Sequence, residues 1–252
     1  MCRFFSGIIA YKHKKVWYDI DLDSHTDIMN KFEIKDEKLS PNFVKFELTP
    51  IDKNIFNHAK KNWVFSIDED SQDIIPDWFD LARAKAQAWE CLQDVFKKRF
   101  LINSKIQEIR EGRWFIKDSD IQNVRGGTIQ DVSGGTIRDV WGGTIKNFNG
   151  GIIKNFNDGI IRDVNGGNID NVRGGIIQDV WGGTIDNVRG GIIKYVSGGT
   201  IDNVRGGIIK NVSGGIIRDV WGGNIDNVRG GIIQNVWGGK RIGASCAAKN
   251  RA

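Results

Sequence analysis

The chain has 252 residues, is 40% hydrophobic and 27% charged, and carries a formal net charge of +5. That length holds one large domain or two small ones, and no stretch approaches the ~20 apolar residues of a membrane-spanning helix. Residues 1–117 hold 20 Lys and Arg against 19 Asp and Glu, and residues 118–239 hold 12 against 12. The excess is therefore concentrated in a short tail at 240–252, where Lys240, Arg241, Lys249 and Arg251 lie. A basic nucleic-acid surface running along the whole chain is excluded, and direct nucleic-acid binding is left to that tail.

In chain order, the first segment reads as α+β. Apolar-rich runs at 4–10, 16–20, 43–48 and 63–67 have the composition of strands. Ser24 is placed to cap a short helix through Phe32. After Pro76, residues Leu81, Ala84, Ala88, Cys91, Leu92, Val95 and Phe96 recur at three- and four-residue steps, the spacing of one apolar helix face. Lys97, Lys98 and Arg99 suit the negative end of that helix's dipole.

The reactive residue types in this segment are dispersed. Cys2, Cys91 and Cys246 lack metal-ligand spacing, and the opening residues put the apolar run before the basic ones, the reverse of a secretory signal. A reducing, cytoplasmic setting is expected, without cofactor or metal. Asp23, Ser24 and His25 are adjacent in sequence, which suits a helix start better than a catalytic triad. His13 sits among lysines and His58 in a polar loop.

Two resemblances enter here. Cys2 directly after Met1 resembles the start of class II glutamine amidotransferases, whose mature chain begins with Cys. That implies a hydrolase as the alternative reading of this segment, although the other motifs of that family are not visible. The phrases Cys2-Arg3-Phe4-Phe5-Ser6, Asp23-Ser24-His25-Thr26-Asp27-Ile28, Phe46-Glu47-Leu48-Thr49-Pro50 and Ile75-Pro76-Asp77-Trp78-Phe79 resemble a module of phage and prophage proteins that often precedes repeat tails. The resemblance reaches to about residue 80 and implies a mobile-element origin.

All of the 32 glycines except Gly7 and Gly112 fall from Gly126 onward, and the sequence there changes character. From Asp118, fifteen octapeptide frames follow without a gap, of the form GGTIDNVR. Position four is Ile in every frame, from Ile121 to Ile233. Position seven is Val except at Phe148 and Phe156. Paired glycines and β-branched residues exclude helices, and a short fixed period is the mark of stacked repeats that bury an apolar face only against one another. A parallel β-solenoid is expected, with glycine pairs at corners that need positive φ or close backbone approach. The apolar columns are three residues apart, so the chain must bend between them. Position six, nearly always Asn or Asp, is the expected bend residue, able to enter the left-handed region and to form ladders between coils.

Arg173, Arg189 and Arg205 stand sixteen residues apart at position eight, which favours two frames per coil and leaves a three-sided, 24-residue coil as the alternative. Residues 158–181 match residues 214–237 at 21 of 24 positions, a duplication by seven frames that shifts the alternation by one frame. At ~4.8 Å per coil, about seven coils make a rod of roughly 34 Å. The expected organisation is an α+β domain at 1–110, a capping segment at 111–117, the solenoid at 118–239 and a basic tail at 240–252.

Several familiar repeat chemistries fail on particular residues. The frame GGxIxD is similar to the calcium-binding β-roll motif GGxGxD, but Ile fills the third glycine's place and Asn replaces most of the carboxylates. Thr128, Thr136 and Thr144 start a threonine column of the ice-binding kind that Ile152, Ile160 and Asn168 interrupt. The candidate binding residues are instead Trp141, Arg173, Trp181, Arg189, Arg205, Trp221, Arg229 and Trp237 at position eight, because Trp and Arg are enriched where interfaces concentrate their energy. The expectation is a non-enzymatic interaction protein of phage or prophage origin acting on a host protein or ribonucleoprotein, for example as a host-defence antagonist. A virion fibre component is the structural alternative.

Overall fold

The structure is a computed structural model and describes residues 5–22, 24–35, 42–68 and 75–241. The chain divides into two compact units between Phe100 and Leu101.

In the first unit, β1 (Phe5–Ala10), β2 (Val16–Trp17), β3 (Phe43–Pro50) and β4 (Trp63–Ile67) form one antiparallel sheet in the order β2-β1-β3-β4. Helix α1 (His25–Lys31) starts at Ser24, whose hydroxyl accepts a bond from the Asp27 amide at 3.4 Å. Helix α2 (Leu81–Arg99) is capped by Asp80, whose carboxylate accepts from the amides of Ala82 and Arg83. Its buried face is Ala84, Ala88, Leu92, Val95 and Phe96, as the spacing predicts. Leu81 departs from the expectation at 46% exposure, since the first residue after the cap lies beyond the packed part of the face.

The second unit is a parallel β-solenoid of about nine coils, entered through the short strand β5 (Phe100–Ile102). Pairing fixes its period: Ile161 stands beside Ile177, Ile177 beside Ile193 and Ile193 beside Ile209, always sixteen residues on. Two octads therefore make one coil, and they alternate between two faces. One face runs from β6 (Lys105–Ile109) through the second halves of β7 (Arg113–Val124), β8 (Thr128–Val140) and β9 (Thr144–Phe156). It continues through β11 (Asn168–Val172), β13 (Thr184–Val188), β15 (Thr200–Val204), β17 (Ile216–Val220) and β19 (Ile232–Val236). The other uses the first halves of β7, β8 and β9, then β10 (Ile160–Val164), β12 (Ile176–Val180), β14 (Ile192–Val196), β16 (Ile208–Val212), β18 (Asn224–Val228) and β20 (Lys240–Arg241).

The rod is longer than the octad count predicts because coiling starts before the motif does. Arg113–Val124 is a solenoid strand in which Arg113 pairs with Thr128, and Ile106 pairs with Ile121 one rung below. Residues 113–117 are thus part of a coil instead of a segment lying across its end. No glycine pair marks these residues, which is why the pattern misses them. At the far end Arg241 pairs with Ile225, at the position held by Ile in all fifteen frames, and the apolar column ends there.

From β10 to β18 each strand buries two residues three apart, as at Ile185 and Val188, and turns the two between them outward. Two adjacent outward residues mean that the chain turns a corner between positions five and six. Every Ile at position four is at most 3% exposed, and burying each contributes roughly 1.5–3 kcal/mol. The left-handed backbone expected at position six does not occur there. In the repeats it falls on the second glycine of the pairs, as at Gly207 with φ 79°, and at Gly134–Gly135 on both. The first glycine serves a different need: a Cβ on Gly206 would lie 2.5 Å from the Arg189 carbonyl oxygen of the coil below.

Candidate functional site

Position eight follows the inward Val and precedes the glycine corner, so its side chain points outward at an edge of the rod. The backbone stacks these positions directly. The amides of Trp141, Arg173, Arg189, Arg205, Trp221 and Trp237 each bond the carbonyl of the Val or Phe seventeen residues earlier, at 2.7–2.8 Å. One corner consequently carries, in order, Arg125, Trp141, Asn157, Arg173, Arg189, Arg205, Trp221 and Trp237. The diametrically opposite corner carries Ser133, Asn149, Asn165, Trp181, Ser197, Ser213 and Arg229. Six of the eight candidate residues share the first ridge, and Trp181 and Arg229 stand on the second. Duplication by an odd number of frames moves each copied side chain to the opposite corner, and Trp181 and Arg229 are so related to Trp237 and Arg173.

Trp141, Trp181, Trp221 and Trp237 are 48%, 57%, 52% and 62% exposed. Trp221 and Trp237 stack on each other, with centroids 5.5 Å apart and planes 16° from parallel, so two rungs present one rigid aromatic step. Trp181 Nε1 donates to Asp163 Oδ1 at 3.3 Å, and Arg173 Nη1 to Asn157 Oδ1 at 3.2 Å. Arg189 and Arg205 form no ion pair among the described residues. Arg125, by contrast, is engaged by Glu108.

Beside this ridge runs a ladder of amides. Asn171, Asn187 and Asn203 donate to the carbonyls of Lys154, Asp170 and Asp186 at 3.1–3.2 Å. At other rungs the acceptor is the carboxylate or amide one coil below, as in Asn235 to Asp219 at 2.8 Å and Asn155 to Asp139 at 2.9 Å. Thr128, Thr136 and Thr144 do not share one column, because Thr128 pairs with Thr144 on one face while Thr136 pairs with Ile152 on the other.

The first unit uses its polar residues to hold itself together. His13 Nε2 accepts from the Asp80 amide at 2.8 Å, while its Nδ1 lies 2.9 Å from Gln87 Oε1, tying the turn after β1 to the start of α2. His25 has Nε2 at 2.9 Å from the Phe46 carbonyl and Nδ1 at 3.0 Å from Asp68, so both ring nitrogens are occupied. His58 lies flat on Phe96 at 3.7 Å, and burial lowers its pKa below the usual imidazole value. Burial, with Glu90 and Asp94 nearby, pushes the Cys91 thiol up to about 12, which suppresses the thiolate that nucleophilic chemistry needs. Cys2 and residues 242–252 of the basic tail lie outside the described residues.

Among the described residues no helix is long and apolar enough to cross a membrane, and no set of three or more His, Cys, Asp or Glu is gathered as a metal site. Fold and surface together define the class as a parallel β-solenoid with stacked polar and aromatic ridges at its corners. Scans of protein-family models, of curated proteins and of solved structures each found no match.

Proposed function

We propose that the chain is a non-enzymatic interaction scaffold whose solenoid holds a Trp/Arg ridge against a macromolecular partner. The observation that carries this reading is the exposure of four tryptophans on a framework whose every rung is fixed by backbone bonds to its neighbours. Rigid aromatic and guanidinium groups lose little freedom on binding, so more of the contact energy appears as affinity. The partner class is a host protein or ribonucleoprotein, with antagonism of a host defence as the biological role. The support for that class is the likeness of the N-terminal phrases to phage and prophage modules.

The test compares the intact chain with a variant carrying Ala at Trp141, Trp181, Trp221 and Trp237 in quantitative capture from host lysate. The expected result is one stoichiometric partner that the variant loses while its circular dichroism is unchanged. Equal capture by both proteins contradicts the reading. Recovery of nucleic acid alone, lost on truncation of residues 240–252 and strongly salt-dependent, would move binding from the ridge to the tail.

A further inference from the structure

In the same octads position five holds an acidic column that runs beside the arginine column at position eight, with the bend after position five lying between them. Asp170, Asp186 and Asp202 are stacked in register one coil apart on β11, β13 and β15. Arg173, Arg189 and Arg205 follow them by three residues at the ridge. The asparagines between the columns donate to backbone carbonyls of the coil below, so a row of tethered amides separates two rails of opposite charge. Neither rail is neutralised by the other. Asp170 and Asp186 have no ion pair among the described residues, and Asp202 has only Arg218, at 3.0 Å without hydrogen-bond alignment. Burial and the neighbouring Asp186 raise the pKa of Asp170 above its usual value. Three like charges at ~4.8 Å steps repel one another along each rail.

We infer that this face takes a second copy of the chain, the two solenoids lying parallel about a two-fold axis along the rod, with each Asp rail against the partner's Arg rail. This rests on the reading of the ridge as a docking surface, and it assigns the Arg173–Arg205 stretch to a second copy while leaving the opposite corner to the foreign partner. The spacing argues for the occupant. Same-side carboxylates of an extended peptide recur every ~6.8 Å and phosphates of one duplex strand every ~3.4 Å, while another stack of parallel strands repeats at the same ~4.8 Å. The aspartate rail of a second copy therefore meets all three arginines at once. A two-fold axis parallel to the rod sets position five of one copy opposite position eight of the other at the same rung, pairing Asp170 with Arg173, Asp186 with Arg189 and Asp202 with Arg205 across the interface. The next rung sets Arg218 against Trp221, a cation over an aromatic ring.

The opposite face lacks this complementarity, because Lys194 and Lys210 at position five are followed by Ser197 and Ser213. Tyr195 also stands out between them at 48% exposure. A pair so joined keeps Trp181 and Arg229, on the far corner of each rod, turned outward for a foreign partner.

Sedimentation velocity on the full chain tests the pairing. A strip this narrow belongs at the weak end of specific interfaces, so the expected behaviour is a monomer–dimer equilibrium with Kd of roughly 1–10 µM at low salt. It should weaken at least tenfold at about 1 M NaCl, where the Debye length is ~3 Å. The triple variants R173D/R189D/R205D and D170R/D186R/D202R should each be monomeric, and their equimolar mixture should dimerise again, because one then carries two acidic rails and the other two basic ones. Asn occupies position eight natively at Asn149, Asn157 and Asn165, so R173N/R189N/R205N supplies a folded version of the same loss if a charge reversal disrupts folding. A monomeric wild type, variants that dimerise like wild type, or a mixture of folded variants that stays monomeric overturns the pairing. A monomer whose partner capture still depends on Trp181 and Trp221 leaves the display reading standing, and a dimer that captures nothing does the reverse.

Discussion

The two units solve the problem of burying polar backbone in opposite ways. In the first, each stabilising polar contact occurs once: His13 joins Asp80 and Gln87, His25 joins Phe46 and Asp68, and Tyr18 donates to Asp94 at 2.9 Å. In the second, one contact set is repeated rung after rung, so a defect is felt mainly by its neighbours. The first unit should therefore fail as a whole and the second locally.

The largest effect is expected where the repeat has no slack. Gly206→Val would drive a side chain into the Arg189 carbonyl oxygen, and with Ile185→Ala, at about 2–5 kcal/mol, it should open the rod around one coil. Hydrogen exchange should show protection lost over the adjoining rungs and kept at distant ones. Loss along the entire rod would mean that the coils fold as one cooperative block. Next in size, His25→Ala removes two buried bonds and should cost the first unit about 2–3 kcal/mol, leaving amide protection from Ile129 to Val212 unchanged. A matching fall in solenoid protection would break the contrast between the units.

Smaller still is Asn187→Ala, which removes one rung of the amide ladder and should cost ~0.5–1.5 kcal/mol in thermal unfolding. The least effect belongs to Asp131, whose carboxyl burial raises above its usual pKa despite bonds from Asn147 and Asn149. A raised folded-state pKa means that this group favours folding most when protonated. Its contribution is present below the unfolded-state value and is lost as pH rises through the folded-state value. Asp131→Asn should thus stabilise the rod near neutral pH by less than ~1 kcal/mol, with the gain shrinking as the solution is acidified through the carboxylate range. A gain independent of pH would assign the effect to packing.

The solenoid was legible because its signal is redundant: fifteen isoleucines at one position, and Arg173, Arg189 and Arg205 at a spacing that sets the coil. What escaped the pattern was irregular. Residues 101–117 coil without glycine pairs, and the bend after position five needs no left-handed residue, because glycine absorbs the positive φ at the other corner. The division of the candidate site into two ridges was implicit in the seven-frame duplication, but it follows only once the coil is fixed at two octads. That the Asp and Arg rails do not pair with each other was not legible, since a three-residue spacing does not say whether the two side chains meet across the bend. In the first unit, nothing in the spacing of His13, Asp80 and Gln87 foretold that they meet.

The central claim is that position eight stacks every sixteen residues and faces opposite corners every eight. Disulfide trapping in a chain whose native cysteines are replaced by Ser reads this directly. Ser197 and Ser213 lie on neighbouring rungs with their hydroxyls 3.3 Å apart, so the pair S197C/S213C should oxidise rapidly within one molecule, given that disulfides bridge Cα separations of ~4.4–6.8 Å. The pair S197C/R205C, eight residues apart, should stay reduced. Ready oxidation of S197C/R205C with none for S197C/S213C would contradict the two-octad coil and both ridges built on it.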